Sequence, residues 1–370
     1  MRAEKACQFY PVVVGGRPLR ETCVCCDASD WRRLPEQAYG LLSGRQLVRA
    51  MVLLILLGVF LSVIMNSVAV AQTPAIWFVP RSGNAPAEDF SSLFRPNAPW
   101  GQAASHIAVF GMGLPGRRTP QTDFDLAGAF ADLRRRNIGL SVDMLPLSGP
   151  DSPSQERKCG YHVEGYSAPG QTLSTAQWIK SLGGEPRFFE MDEPLYYGHV
   201  YNGPNACHST VEEIVREVAV KVAQVRSIFP NVRVGDGEPI MGFAKDTWLQ
   251  DLDAFFSEYQ TATGQALAFF RLDIDWNQGW RGRIPPLMQL LKRHGIPLQV
   301  IYNGSGQDGS GKQWIDEAMK HAAEFESVAK PDVAAIQCWT QHPRYILPES
   351  DPDSLSNMVN RYYAQRMSSH

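Results

Sequence analysis

The chain has 370 residues, of which 44% are hydrophobic, and this is enough to build one large domain with a sizeable core. Its net charge of −3 gives no indication of a nucleic-acid partner, which is typically bound by a strongly basic domain. The acidic surplus falls in the part of the chain after residue 71, which suits a neutral or cationic ligand better than a polyanion.

The N-terminal segment has the pattern of an export signal. An uninterrupted apolar run at 51–65 follows two arginines and leads to the small residues Ala69-Val70-Ala71, as in a secretory signal peptide. The apolar run is short for a membrane span, and an uncleaved membrane anchor is the alternative. We therefore predict a secreted or periplasmic protein that is cleaved after Ala71, with a non-native or disordered leader at 1–47, a signal peptide at 48–71 and one domain at 72–370.

Seven cysteines divide between the leader and the domain. The four in the leader, Cys7, Cys23, Cys25 and Cys26, lack a second pair at zinc-ligand spacing, which argues against a zinc site. Cys338 lies in an apolar strand and is predicted to be a buried thiol. Cys159 and Cys207 lie in long polar loops on the same predicted face, so an oxidising compartment would favour a disulfide between them.

Short apolar runs alternate with helix-length amphipathic segments from Ala75 onward. We predict strands at Ala75–Val79, His106–Gly111, Gly139–Leu145, Arg187–Glu193, Arg233–Glu238, Ala268–Asp275, Leu298–Asn303 and Ala334–Thr340. We predict helices near Ala87–Phe94, Asp123–Arg136, Thr175–Ser181, Thr210–Phe229, Lys245–Ala262, Ile284–His294, Lys312–Ala329 and Ser354–Met367.

This alternation predicts an α/β fold with a parallel sheet, and eight such units match the size of a single (β/α)8 TIM barrel. A doubly wound open sheet is the main alternative. It would need a glycine-rich phosphate turn after an early strand, and Gly111-Met112-Gly113 followed by Pro115 is a poor match. We expect a monomer.

The fourth predicted strand ends in an acidic pair, Asp192-Glu193, that is closed by Pro194. Proline has no N–H for the sheet and pushes the preceding residue toward extended geometry, so the strand should stop at Glu193. The carboxyl ends of parallel strands are where α/β folds place their chemistry. The pair should therefore lie at the mouth of the barrel.

Other predicted strands also end in polar side chains: Asp143, Asp236, Glu238, Asp273, Asp275 and Asn303. The period of two places Asp273 and Asp275 on the face opposite Leu272 and Ile274, and the apolar face should meet the helices. Carboxylates gathered in one mouth cannot all ionise, so the pKa of one of them rises. A raised pKa beside an ionised carboxylate is the arrangement that general acid and base catalysis requires.

Aromatic residues lie at or just past the same strand ends. They include Trp276, Tyr302 and Trp339. Flat apolar rings beside carboxylates are typical of a carbohydrate site, because the rings stack on sugar C–H surfaces while the acids act on the glycosidic bond.

The chain resembles the (β/α)8 glycoside hydrolases whose fourth strand ends in Asn-Glu-Pro. Asp192-Glu193-Pro194 and Trp339 occupy the corresponding places, and the resemblance covers the layout from Ala75 to the C-terminus. It implies that Glu193 is the acid/base, that Asp192 binds sugar in place of the family's Asn, and that Trp339 closes the eighth strand.

The resemblance breaks down at the seventh strand. The family has a nucleophilic Glu there, whereas this chain has Tyr302-Asn303-Gly304. Glu238 is the first candidate for the second carboxylate, because it lies one strand from Glu193 and adjacent strands are about 4.8 Å apart, near the ~5–5.5 Å of a retaining pair. Asp275 lies two strands away, nearer the ~6.5–9.5 Å of an inverting pair. Spacing alone leaves both open.

The sequence thus predicts an exported glycoside hydrolase with a carbohydrate substrate and with neither a metal nor a cofactor. Glu193 would protonate the leaving oxygen, and Glu238 or Asp275 would act as nucleophile or base. Sugar-binding roles fall to Asp143, Asp192, Asp236, Asp273, Tyr302, Asn303, Trp339 and Trp276. Two alternatives remain: a non-catalytic glycan-binding barrel, and a metal-dependent barrel hydrolase or lyase that uses Asp273 and Asp275.

Overall fold

The computed structural model describes residues 74–368, except 84, 114–124, 151–157 and 245, together with two short segments at 13–14 and 17–18 that pair as antiparallel strands. The predicted leader and signal peptide, with Cys7, Cys23, Cys25 and Cys26, fall outside the described residues. Among the residues that are described, no helix is both long enough and apolar enough to cross a membrane.

Eight parallel strands close into a barrel, which confirms the predicted fold class. Each strand pairs with the next in sequence, and the eighth pairs with the first to complete the ring. The strands are β1 Ala75–Val79, β2 Ile107–Met112, β3 Gly139–Met144, β4 Pro186–Asp192, β5 Arg233–Glu238, β6 Phe270–Leu272, β7 Leu298–Tyr302 and β8 Val333–Gln337.

The sixth strand differs most from its prediction. The ladder covers only Phe270–Leu272, whereas alternation predicted 268–275. Beyond Leu272, Asp273 still donates its N–H to the carbonyl of Glu238 at 3.2 Å, but Asp275 then turns the chain by accepting the amide of Asn277. An Asp that bonds a backbone amide two residues on initiates a turn, and this ends the strand early.

Helices follow the strands around the outside of the barrel. Within the described residues they are α1 Gly101–His106, α2 Leu126–Arg135, α3 Gln171–Ser181, α4 Val211–Ile228, α5 Trp248–Thr263, α6 Ile284–His294, α7 Gly311–Glu326 and α8 Leu355–Ser368. The helix predicted near Ala87–Phe94 is instead a short 3₁₀ turn at Phe90–Phe94, and α1 follows it.

The longest helix, α4, shows why these segments fold as they do. Thr210 accepts the amide of Glu213, and Glu213 reaches back to the amide of Thr210, so two N–H groups that lack a partner within the helix are satisfied. A stripe of valines and Ile214 is buried at three- and four-residue steps and packs on the barrel. The helix stops before Pro230.

The core has two layers. The larger one fills the space between the strands and the helices, and a small one plugs the inside of the barrel. In the inner layer Trp77 packs against Phe269 and Phe188, with ring centroids 4.9 and 4.8 Å apart. These rings form an apolar plug in the lower barrel, so polar side chains further along the same strands lie above the plug.

The predicted disulfide between Cys159 and Cys207 is present, with Cα atoms 4.8 Å apart, and Cys338 is a buried free thiol as expected. The bridge joins the loop after β3 to the loop after β4. Backbone contacts reinforce the junction, since the amide of Gly160 donates to the carbonyl of Asn205 at 2.8 Å. Two loops that border the barrel mouth are therefore held together.

Replacing both bridging cysteines with serine is expected to lower the free energy of unfolding by about 2–4 kcal/mol, because the closed loop of 48 residues restricts the unfolded chain. Urea unfolding would measure the change. A reductant should lower the midpoint of the unaltered protein to that of the double variant and should not shift the variant further. Equal midpoints for the oxidised protein and the variant would contradict this role.

Candidate active site

A cleft opens at the carboxyl ends of the strands. It consists of two cavities of about 930 and 1110 Å³. The first lies over β4 to β8, and the second lies between β3, β4 and the loop that follows β3. Asp192 lines both, so an acidic residue stands where the two cavities meet.

The floor of the cleft is a buried ion pair. Arg271 of β6 is 1% exposed and bonds Glu190 of β4 and Gln299 of β7, and it donates to Gln337 of β8 at 3.0 Å. Burial raises the pKa of Glu190 to about 8 even though the guanidinium opposes the shift. This network links β4, β6, β7 and β8 directly above the aromatic plug and passes over β5.

Glu193 has an unusual backbone. It follows the last residue of β4 with φ +49°, a left-handed conformation that is uncommon outside glycine. Its N–H donates to the carbonyl of Gly237 at 3.1 Å, and Pro194 then prevents further pairing. Such strain concentrates at functional sites, where the surroundings must hold it in place.

Burial is the main cause that raises the pKa of Glu193 to about 10, and the neighbouring carboxyls of Glu238, Asp273 and Asp192 add to it. Burial also raises the pKa of Asp192 to about 7 and that of Asp273 to about 6, and the positive charge of Arg271 limits both shifts. At neutral pH Glu193 is therefore protonated, whereas Asp273 is mostly ionised.

Two carboxylates predicted for the site face away from it. Alternation along β5 directs Gly235 and Gly237 into the barrel, and Asp236 and Glu238 toward the helices. Glu238 is fully buried, and its two oxygens accept the amides of Leu195 and Tyr196 at 2.7 and 3.0 Å.

Asp236 is also fully buried, and neither of its oxygens has a partner among the described residues. Neither acid lines the cleft. The Glu238-Pro239 ending copies the sequence of the fourth strand, but its register turns the side chain outward.

Tyr302, predicted to stack on sugar, also faces outward. Its hydroxyl donates to Glu326 at 3.1 Å, and Tyr362 donates to the same oxygen at 2.5 Å. This cluster, completed by Arg366, lies behind the barrel wall. The next residue, Asn303, does reach the cleft and accepts the indole N–H of Trp276 at 2.7 Å.

The other predicted residues do line the cleft. Asp275 is exposed and accepts from the amide of Asn277 at 3.1 Å and from the side chain of Gln278 at 2.7 Å. Trp339, 48% exposed, lines the first cavity with Trp276. Asp143 lines the second cavity.

Several residues that line the first cavity were not predicted as site residues from the sequence, among them Glu164, Glu190, Arg271 and His321. Two of them carried a usable signal. Glu190 lies two residues before Asp192 and so shares its face of the strand, and Arg271 is a lone cation in an apolar strand, which requires a buried partner. His321 lies on α7, yet it stacks on Trp276 with ring centroids 4.4 Å apart.

Within the described part of the chain, no group of three or more His, Cys, Asp or Glu side chains is arranged to hold a metal ion. The residues that meet in the cleft are instead carboxylates around one guanidinium, with aromatic side chains at the rim. That set can donate and accept protons and can bind hydroxyl groups.

No protein-family model matches the sequence, and no curated protein does either. Among solved structures, xylanase 10B from Thermotoga maritima is similar at 9% identity, covering 80% of this chain and 97% of its own, with a TM-score of 0.48. The catalytic domain of a β-amylase from Paenibacillus polymyxa is similar at 8% identity, covering 80% and 99%, with a TM-score of 0.46.

An aldo-keto reductase from Klebsiella pneumoniae is also similar, at 13% identity over 79% of this chain and 89% of its own, with a TM-score of 0.39. Glycoside hydrolases and proteins of other chemistry are both found among the similar structures. The protein is a (β/α)8 barrel, and its chemistry has to be argued from its own cleft.

Proposed function

We propose that the protein is an exported glycoside hydrolase that cleaves O-glycosidic bonds in a poly- or oligosaccharide. One observation carries the proposal: Glu193 and Asp273 line one cleft, and their pKa values lie on opposite sides of neutrality. Carboxyls whose environments separate their pKa values in this way are suited to act as acid and base. The disulfide suits an oxidising compartment, as export with cleavage after Ala71 would provide.

In this proposal Glu193 is the general acid. Its proton passes to the glycosidic oxygen as the bond to the anomeric carbon breaks. Asp273 takes a proton from the water that attacks that carbon from the opposite face. Exchange with solvent then restores both groups, so the proton balance closes over one turnover.

The position of the two acids favours inversion. They lie on β4 and β6, with β5 between them, and two strand spacings amount to about 9–10 Å. Side chains that converge from that separation leave room for a water molecule, as in inverting enzymes with carboxyls ~6.5–9.5 Å apart.

The earlier candidates for the second carboxylate are less suited to the role. Both oxygens of Glu238 are occupied by backbone amides that shape the turn after Glu193. Asp275 lies at the exposed rim, bonded to its own turn, where solvent would screen its effect on the sugar.

Sugar binding would rest on Trp339, Trp276 and Asn303 in the first cavity and on Asp143 in the second. Trp339 offers an open ring face to a sugar. Asp192 stands between the cavities and would bond hydroxyls on either side of the scissile bond. The substrate would then span both cavities.

Replacing three acids separately by their amides tests this assignment. We expect Asp273→Asn to lower kcat on a cleavable glycan by about 10²–10⁴-fold. Asp275→Asn should lower kcat less than tenfold. Glu238→Gln should act mainly on stability, so we expect a lower melting temperature and little change in kcat. NMR of the first product should show the inverted anomer. Full turnover by Asp273→Asn, or a retained anomer, would remove Asp273 as the base.

A glycan-binding barrel without catalysis is the second candidate. Asn303 favours it, because an amide bonded to Trp276 stands where the resemblance would put a nucleophilic Glu. A panel of polysaccharides distinguishes the two: binding without release of reducing ends, at any pH between 5 and 9, would support the binding protein.

A further inference from the structure

The first cavity is lined by eight carboxyl groups, most of them acidic side chains at the strand ends, and by a single guanidinium. The guanidinium, Arg271, is already paired with Glu190 beneath the cleft. The acids come from several elements: Glu164 from the loop after β3, Asp192 and Glu193 from β4 and its end, and Asp273 and Asp275 from the end of β6. No lysine lines the cavity among the described residues. A polyanionic chain would meet strong repulsion here.

One buried oxygen in the floor lacks a partner. Glu190 is only 7% exposed, and its Oε2 meets no hydrogen-bond donor in the described part of the protein, although the residue lines the cavity. Gly237 opposite leaves room beside it, because a Cβ there would lie 3.5 Å from the other oxygen, Oε1. A buried carboxylate oxygen left without a donor costs free energy unless a ligand supplies one.

We propose that the cleft binds an oligosaccharide whose sugars carry free amino groups, and that the carboxylates of the first cavity receive their ammonium groups. The proposal rests on the glycoside hydrolase function proposed above and names its substrate class. An ammonium offers three N–H donors and a positive charge, which suits a site with many acceptors and surplus negative charge.

The rim favours a sugar over a cationic peptide. Trp339 is 48% exposed, and Trp276 lies beside the cleft with its ring held by Asn303 and His321. Flat rings at the edge of a concave site suit the C–H faces of pyranoses, and they also attract a cation. A lysine-rich peptide would meet the charge, but it has no pyranose C–H face to stack on the rings.

Proton release should accompany binding. The pKa values of Glu190, Asp192 and Glu193 are raised mainly by burial and further by neighbouring carboxyls. A bound ammonium stabilises their ionised forms and lowers these pKa values, so protons leave as the ligand binds. A neutral sugar has no such effect.

Calorimetry with the Glu193→Gln protein, which keeps the ligand intact, would test this. Tetrasaccharides of β-1,4-glucosamine and of α-1,4-galactosamine would be compared with their N-acetylated forms at pH 6, in two buffers of different ionisation enthalpy. We expect one amine tetramer to bind at least tenfold more tightly than its acetylated form, with net proton release. Raising the salt from about 50 to about 500 mM should shrink that preference.

A pair of matched variants locates the effect. Glu164 lies at the cleft and accepts the hydroxyl of Tyr197 at 2.5 Å, a bond that Gln can retain. In the Glu193→Gln background, Glu164→Gln should weaken binding of the preferred amine tetramer by about 3–10-fold without changing binding of its acetylated form. Glu212→Gln, a substitution of an exposed acid on α4, should change neither.

The inference fails if the acetylated or a uronic-acid tetramer binds as tightly as the amine forms, or if tetralysine competes equally. If one of these results is found and the wild-type protein cleaves a neutral glycan, the proposed hydrolase function is supported and only the amino-sugar substrate class is contradicted. Tight amine-dependent binding with no cleavage of the same oligomer by the wild type would support this inference and contradict the proposed hydrolysis.

Discussion

Replacing Glu193 by Gln is expected to lower turnover of the glycan substrate by about 10²–10⁴-fold while leaving the fold intact. The amide keeps the size of the protonated carboxyl but cannot give up a proton to the leaving oxygen. Because Glu193 has its pKa raised to about 10, it is neutral at working pH, and a neutral amide should disturb the site little. Initial rates of reducing-end release and melting temperatures would measure both effects.

The pH profile of the unaltered enzyme gives a second readout of the same residue. Asp273 must be ionised to act as base, so activity should rise as the pH increases through about 6. Glu193 must be protonated to act as acid, so activity should fall as the pH approaches about 10. The alkaline limb should vanish in the residual activity of Glu193→Gln. Glu212→Gln, which alters an exposed acid on α4, is the control and should retain both limbs of the pH profile. An unchanged kcat in Glu193→Gln would exclude Glu193 from the mechanism.

Replacing Arg271 by Met is expected to cost about 3–5 kcal/mol of folding free energy, because it leaves Glu190 buried without its partner. Loss of the positive charge should also raise the pKa of Asp273, whose shift Arg271 now limits, and so move the acid limb of activity to higher pH. Chemical denaturation at pH 8 and rate profiles would measure these changes.

The double variant Glu190→Met, Arg271→Met is the control. Removing both charges replaces the buried pair by apolar side chains and should restore at least 1 kcal/mol relative to Arg271→Met alone. A double variant no more stable than the single one would show that lost packing, rather than an unpaired charge, causes the effect.

The local alternation of apolar runs and amphipathic segments in the sequence was sufficient to predict the barrel. Arg233–Glu238 and Ala75–Val79 have the predicted bounds, because apolar runs flanked by helical periodicity leave little freedom in a parallel sheet. The early end of β6 was missed because the side chain of Asp275 makes a turn that competes with the ladder, and alternation does not register such a bond.

The cleft was predicted less completely, and β5 shows why. The period of two says which residues share a face, but it does not say which face is the inside. Asp236 and Glu238 were assigned to the barrel mouth, whereas Gly235 and Gly237 take the inner positions, and the ring of Phe269 fills the space beside Gly235. The prediction that Tyr302 lies in the cleft is wrong for the same reason. Tyr302 faces the helices, whereas the next residue, Asn303, faces the cleft.

Long-range pairing was beyond the sequence altogether. Arg271 and Glu190 lie on strands separated by β5, and their side chains meet inside the barrel across that strand. Likewise, His321 reaches the cleft from a helix because Asn303 accepts its ring N–H through the backbone carbonyl at 2.8 Å. Contacts of this kind form only in the assembled barrel, so no local pattern in the sequence predicts them.

A crystal structure of the Glu193→Gln protein with an intact oligosaccharide would test the acid–base pairing of Glu193 and Asp273 most directly. We predict a glycosidic oxygen within hydrogen-bond distance of the amide at 193, a water between Asp273 and the anomeric carbon, and sugars in both cavities on either side of Asp192. A glycan bound outside this cleft, or one whose scissile bond lies beyond reach of residue 193, would contradict it.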